Sequence, residues 1–159
     1  MGSRIANMID RARLRAQLAK HEDKRKFVYD DATGKPIGEG TFVRGLPTVG
    51  IGRNLYGKGL SEDEIEYLVD NDISDALTDA RKFKWFSGLD PVRKNAVTEL
   101  MFNLGLKRFS GFVKFINYMN EGRWALAAGE LKNSKWYTQV KTRGDTIANM
   151  VLTGEWPNE

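Results

Sequence analysis

Thr48-Val49-Gly50-Ile51-Gly52-Arg53-Asn54-Leu55-Tyr56-Gly57-Lys58-Gly59-Leu60-Ser61-Glu62-Asp63-Glu64 is the stretch on which the fold turns. In its first half, glycines at 50, 52, 57 and 59 break short apolar runs, the pattern of strands joined by tight turns. Its second half changes period. Ser61 and Glu64 form a capping box, in which the serine hydroxyl and the glutamate carboxylate each satisfy a backbone N–H of the other residue. Ile65, Leu68, Val69, Ile73 and Leu77 then recur at helical spacing, which predicts a long helix from Ser61 through about Ala80.

Working outward, the glycine-punctuated character extends back to Phe27. Phe27-Val28-Tyr29 and Thr41-Phe42-Val43 are further candidate strands, so a small antiparallel sheet is expected between Phe27 and Gly59. Before it, Ile5, Met8, Ile9, Leu14 and Leu18 give a loose helical period over residues 4–23. After the long helix, Asp90-Pro91 reads as N-cap and first helical residue of another, with Gly105 as its stop. Three more helices are expected at Ser110–Asn120, Arg123–Lys132 and Thr142–Thr153. The order predicts an α+β protein: a sheet lobe over about 24–60, a connecting helix over about 61–80, and a helical lobe over about 81–156 that also takes the N-terminal helix. The whole of 1–159 is expected to act as one domain.

Composition narrows the chemistry. The chain has no cysteine and a single histidine, His21, so thiol nucleophiles, disulfides and histidine triads are excluded and a zinc site is not expected. Hydrolysis, if it occurs, falls to carboxylates. With 25 Lys and Arg against 21 Asp and Glu, the net charge of +4 favours a polyanionic partner. No apolar run in the first twenty residues is long enough for a secretory leader or a membrane span.

Taken singly, the candidate carboxylates have ordinary local readings. Glu22 can pair with Lys26 at i+4, and Asp31 can form an Asx turn ahead of Gly34. Thr48 suits a strand by β-propensity alone. Their order changes that. His21-Glu22, Tyr29-x-Asp31 and Pro47-Thr48-Val49-Gly50-Ile51-Gly52-Arg53-Asn54-Leu55 together resemble the tailed-phage lysozymes of glycoside hydrolase family 24. The resemblance continues through Asn71-Asp72-Ile73, Phe102-Asn103-Leu104-Gly105, Arg123-Trp124, Ser134-Lys135-Trp136-Tyr137 and Thr153-Gly154, over about residues 14–156.

The resemblance implies a lysozyme-like fold and a muramidase, an endolysin that cleaves the β-1,4 bond between N-acetylmuramic acid and N-acetylglucosamine of bacterial peptidoglycan. Glu22 matches the family's general acid, Asp31 the carboxylate that activates water, and Thr48 the hydroxyl that positions it, with inversion at the anomeric carbon. Arg143 matches an arginine that pairs with the catalytic glutamate, and Arg53 and Asp72 match an ion pair. Asn54, Phe102, Asn103, Phe115 and Glu130 fall on glycan-contact positions. No cofactor and no metal are implied. The partners implied are peptidoglycan, with no nucleic acid and no integral membrane segment, and the state a monomer. The location implied is the cytoplasm of an infected bacterium, with release to the wall once a holin has opened the membrane.

Two departures stand out. Asp23 occupies a place where many relatives have glycine, and sixteen residues separate Asp31 from Thr48, more than in the compact form of the motif. Rival readings rest on less. Gly52 to Gly59 approaches a phosphate-binding loop, but Gly59 replaces the Ser or Thr that would hold magnesium. The arginine-rich N-terminal segment suits a nucleic-acid module. A catalytically silent peptidoglycan binder and a lytic transglycosylase, which would not require Asp31, complete the alternatives.

Overall fold

The computed structural model describes residues 9–158, so residues 4–8 of the expected N-terminal helix lie outside the described residues. The chain divides into two compact units, 1–65 and 66–159. The architecture is α+β: one small antiparallel sheet and a set of helices.

In the first unit, α1 (Arg11–Glu22) begins at Asp10, whose carboxylate accepts from the Arg13 N–H at 3.0 Å. It ends at Asp23, where the backbone takes φ 62 and ψ 125. This reversal delivers the chain straight into β1 (Arg25–Asp30). The helix falls in the first unit together with the sheet.

A β-carbon is strained at positive φ, which is why glycine is the usual residue in such turns. Replacing Asp23 by glycine removes that strain. The expected result is a gain of about 1 kcal/mol in unfolding free energy, read as a higher denaturant midpoint with an unchanged slope.

The sheet runs β1–β2–β3, with β2 at Pro47–Gly50 and β3 at Arg53–Asn54. Register pairs Tyr29 with Thr48 and Asp30 with Pro47, then Thr48 with Asn54. The long segment between β1 and β2 is accommodated without disturbing that register. Gly34, at φ 70, lets the chain turn back on Asp30, and the Asp30 and Ile37 N–H groups bond to Lys35 and Val28 carbonyls. The segment thus pairs briefly with β1 through Tyr29 and Pro36 before the chain rejoins as β2. Thr41-Phe42-Val43, expected as a strand, is loop. Its β-propensity finds no partner strand, and Thr41 instead closes a turn by bonding the Gly38 N–H.

The capping box forms as read: the Ser61 N–H donates to Glu64 at 2.8 Å and starts α2 (Glu62–Ala80). The chain passes from the first unit to the second within this helix. A short 3₁₀ turn at Phe86–Gly88 follows, then α3 (Pro91–Ser110), α4 (Val113–Asn120), α5 (Trp124–Lys132), α6 (Lys135–Val140) and α7 (Thr142–Thr153). Gly105 breaks the helical backbone of α3 where the sequence predicts a stop. It sits at φ 75 and ψ 162 as a kink, after which the helix resumes to Ser110. Helix α6, unforeseen, is only six residues long and is started by Ser134, whose hydroxyl accepts from the Tyr137 N–H.

The core of the second unit is built from the inner faces of α3, α4, α5 and α7, including Leu100, Met101, Leu131, Ile147 and Val151. Phe109 centres an aromatic group, with ring centroids 5.2 Å from Phe83 and 6.1 Å, edge-on, from Phe115. Among the described residues no helix is long and apolar enough to cross a membrane.

Candidate active site

Glu22, Asp31 and Thr48 all fall in the first unit, on the end of α1, the turn after β1, and β2. Thr48 is 4% exposed, and its hydroxyl donates to the Leu46 carbonyl at 3.0 Å. That same carbonyl accepts the Asp31 N–H at 3.2 Å, while the Leu46 N–H donates to Asp31 Oδ1 at 2.6 Å. One peptide residue, Leu46, therefore ties the aspartate to the threonine. Asp31 Oδ2 and the lone pairs of the Thr48 hydroxyl are left for other partners.

Glu22 lies beside the turn between β2 and β3. Its Oε2 lies 3.4 Å from where a β-carbon would stand on Gly52, in the β2–β3 turn. Gly52 has φ 73, the conformation that favours glycine there, and a β-carbon would make only ordinary contact with Glu22. The Gly50-Ile51-Gly52 turn thus lies beside the Glu22 carboxylate.

Asp30, which sequence reasoning passed over, is the buried carboxylate of this unit, at 2% exposure. Its Oδ1 accepts from the Ala32 and Gly45 N–H groups at 3.0 and 2.9 Å, and its Oδ2 from the Arg44 N–H at 2.8 Å. These bonds, the Arg44 one foremost, hold its carboxyl below the usual aspartate range. Only the doubled aspartate ahead of Ala32 and Gly34 signalled it in the sequence.

Arg53, which the sequence reading pairs with Asp72, has an acidic partner within the first unit. Its guanidinium grips Glu64 with two bonds, at 2.6 and 2.5 Å, and donates also to the Gly59 carbonyl. Glu64 is already fixed by the capping box, so it presents both oxygens to the planar fork that arginine offers. The arginine hydrogen bond, with help from the Ser61 N–H, lowers the Glu64 pKa from 4.5 to about 2. A depressed carboxylate stabilises the fold above its unfolded pKa, and that stability is lost as pH falls through the folded value. The expected result is that Arg53→Ala lowers the thermal midpoint near neutrality and that the difference from the parent shrinks between about pH 4.5 and pH 2.

Asn54 spends its side-chain carbonyl on the Gly57 N–H at 2.9 Å, closing the turn that leads to α2. In the second unit, Arg143 donates to Glu99 at 2.9 Å. Both line a groove of about 480 Å³ together with Phe102, which is 42% exposed. Asn103 accepts the Trp136 indole N–H at 2.6 Å, so its carbonyl anchors a core tryptophan. Phe115 is a correction: at 1% exposure it belongs to the core and offers no surface to a sugar. Glu130 lines a separate groove of about 430 Å³ with Phe112, Lys114 and Ser134. Asp72 is exposed on α2. Among the described residues no three His, Asp or Glu side chains are grouped to hold a metal ion.

No protein-family model matches the chain. Over 99 residues, 60% of this chain, it is 34% identical to the probable T4-type lysozyme 2 of Dictyostelium discoideum. Over the same length it is 29% identical to the probable T4-type lysozyme 1 of that organism. The chain spans 58% of the length of each of these curated relatives. It is also 27% identical over 158 residues to the pre-baseplate central spike protein Gp5 of Enterobacteria phage T4, a match over 86% of this chain and 27% of that protein.

Proposed function

We propose that the chain is a lysozyme of the tailed-phage kind, a glycoside hydrolase of family 24 that cuts peptidoglycan between N-acetylmuramic acid and N-acetylglucosamine. The observation that carries this reading is the Leu46 tie between Asp31 and Thr48, together with Glu22 laid against Gly52 of the same motif. Similarity to two proteins named as T4-type lysozymes supports it.

The chemistry follows from the free atoms. Glu22 gives its proton to the glycosidic oxygen as the bond from that oxygen to the anomeric carbon breaks. A water on the opposite face of the sugar donates one hydrogen to Asp31 Oδ2 and the other to the Thr48 oxygen, whose own hydrogen is committed to Leu46. The water oxygen then bonds to the anomeric carbon, Asp31 takes up the proton, and the configuration inverts. Solvent exchange returns the proton to Glu22. No cofactor enters. The protein works as a monomer on the wall, reaching it from the host cytoplasm through a membrane opened by a holin.

The test is digestion of purified peptidoglycan followed by analysis of the new chain ends. Reducing N-acetylmuramic acid ends are expected. Anhydro ends would assign a transglycosylase, and binding without cleavage a silent wall-binding protein.

A further inference from the structure

We propose that Asp30 is a positioning residue for catalysis, acting through the Asp31–Leu46–Thr48 tie; this rests on the hydrolase reading above. Arg44, Gly45 and Leu46 present three successive backbone N–H groups to two adjacent carboxylates. The first two go to Asp30 and the third to Asp31. Asp30 is thus the fixed end of a clasp whose other end is Asp31.

The clasp answers a problem that the long segment creates. Sixteen residues lie between Asp31 and Thr48, and a flexible closure of that length would not by itself fix the aspartate carboxylate relative to the threonine hydroxyl. By accepting the Arg44 and Gly45 N–H groups, the buried carboxylate pins the returning chain one residue before it meets Asp31. Its acceptance from Ala32 pins the outgoing chain as well. Both ends of the segment converge on Asp30, and the side chain that holds them is sealed from water.

A neutral amide cannot replace it. Asparagine in the same place has one acceptor oxygen for three N–H donors that now share two, and its own NH₂ would face at least one of them. The loop end would shift by a fraction of an ångström to escape, carrying Leu46 with it. Misplacement on that scale costs catalysis far more than it costs folding.

The experiment compares the parent with Asp30→Asn as full-length chains, by amide hydrogen exchange and by steady-state cleavage of soluble peptidoglycan fragments. In Asp30→Asn, exchange at the Leu46 amide should speed up about tenfold or more while core amides of α3 and α7 keep their protection. The value of kcat should fall by about ten- to a hundredfold with KM within about twofold. In an Asp31→Asn background, Asp30→Asn should cost little further activity, because the two act as one unit. Unchanged kcat in a folded Asp30→Asn, or losses that simply multiply in the double variant, would overturn the positioning role. A parent inert on peptidoglycan would overturn the hydrolase reading and this role with it, while the Leu46 exchange rate would still report whether the clasp exists.

Discussion

Glu22→Gln should fold like the parent and lose at least about a hundredfold of its peptidoglycan-cleaving rate. The substitution keeps the shape of the side chain beside Gly52 and removes the transferable proton. General acid catalysis contributes on the order of 10² to 10⁴ in rate, so loss of the acid is expected to dominate any change in binding. Glu22 is exposed and makes no buried contact whose loss would unfold the chain. Circular dichroism and the denaturant midpoint should therefore coincide with those of the parent. Rate and stability separate cleanly in this variant, and that separation distinguishes a chemical role from a structural one.

Gly45→Ala should be nearly as damaging to activity, for a steric reason. A β-carbon on Gly45 would overlap Asp31 Oδ1 and come within 2.7 and 2.8 Å of the Ala32 β-carbon and N–H nitrogen. Atoms at those separations must move. The backbone nitrogen is held in the β1 turn, so the mobile group is the Asp31 carboxylate, which would leave the Leu46 N–H. Overpacking of this kind costs about 1–3 kcal/mol in stability. The larger effect is on turnover, expected to drop by about tenfold or more as the Asp31 carboxylate, proposed to activate water, is displaced. Steady-state kinetics beside a urea titration would check both. Gly45→Ala with parental turnover would show that the placement of Asp31 by Leu46 has no bearing on the reaction.

Much of the framework could be read before the structure, because its signals are local. Ser61 and Glu64 announce α2 through bonds made within four residues, and Asp90-Pro91 does the same for α3. The end of α7 at Thr153 is marked by Gly154, which adopts the left-handed conformation that glycine tolerates. Two segments were misread. Helix α6 is too short to show a period, and Thr41-Phe42-Val43 has strand propensity but no neighbour to pair with.

The candidate site divides along the same line. Glu22, Asp31 and Thr48 were legible because their order resembles a family motif, and the structure sets all three within one unit. What joins Asp31 to Thr48 was not legible. Leu46 acts entirely through its backbone, which no side-chain pattern reveals. Nothing in the sequence set Asp30 apart; its burial does. Phe115 matched a contact position, yet its place in α4 turns it toward Phe109. The partner of Arg53 depended on which of many acids the capping box had already fixed in place.

The most direct measurement is a titration of isotope-labelled Glu22→Gln, which should bind without cutting, with a soluble disaccharide-repeat fragment of peptidoglycan, followed by amide chemical shifts. Saturable changes should centre on Asp31, Leu46, Thr48 and Gly52, the residues that hold the three side chains. Saturable binding that leaves those four amides unmoved would contradict the account.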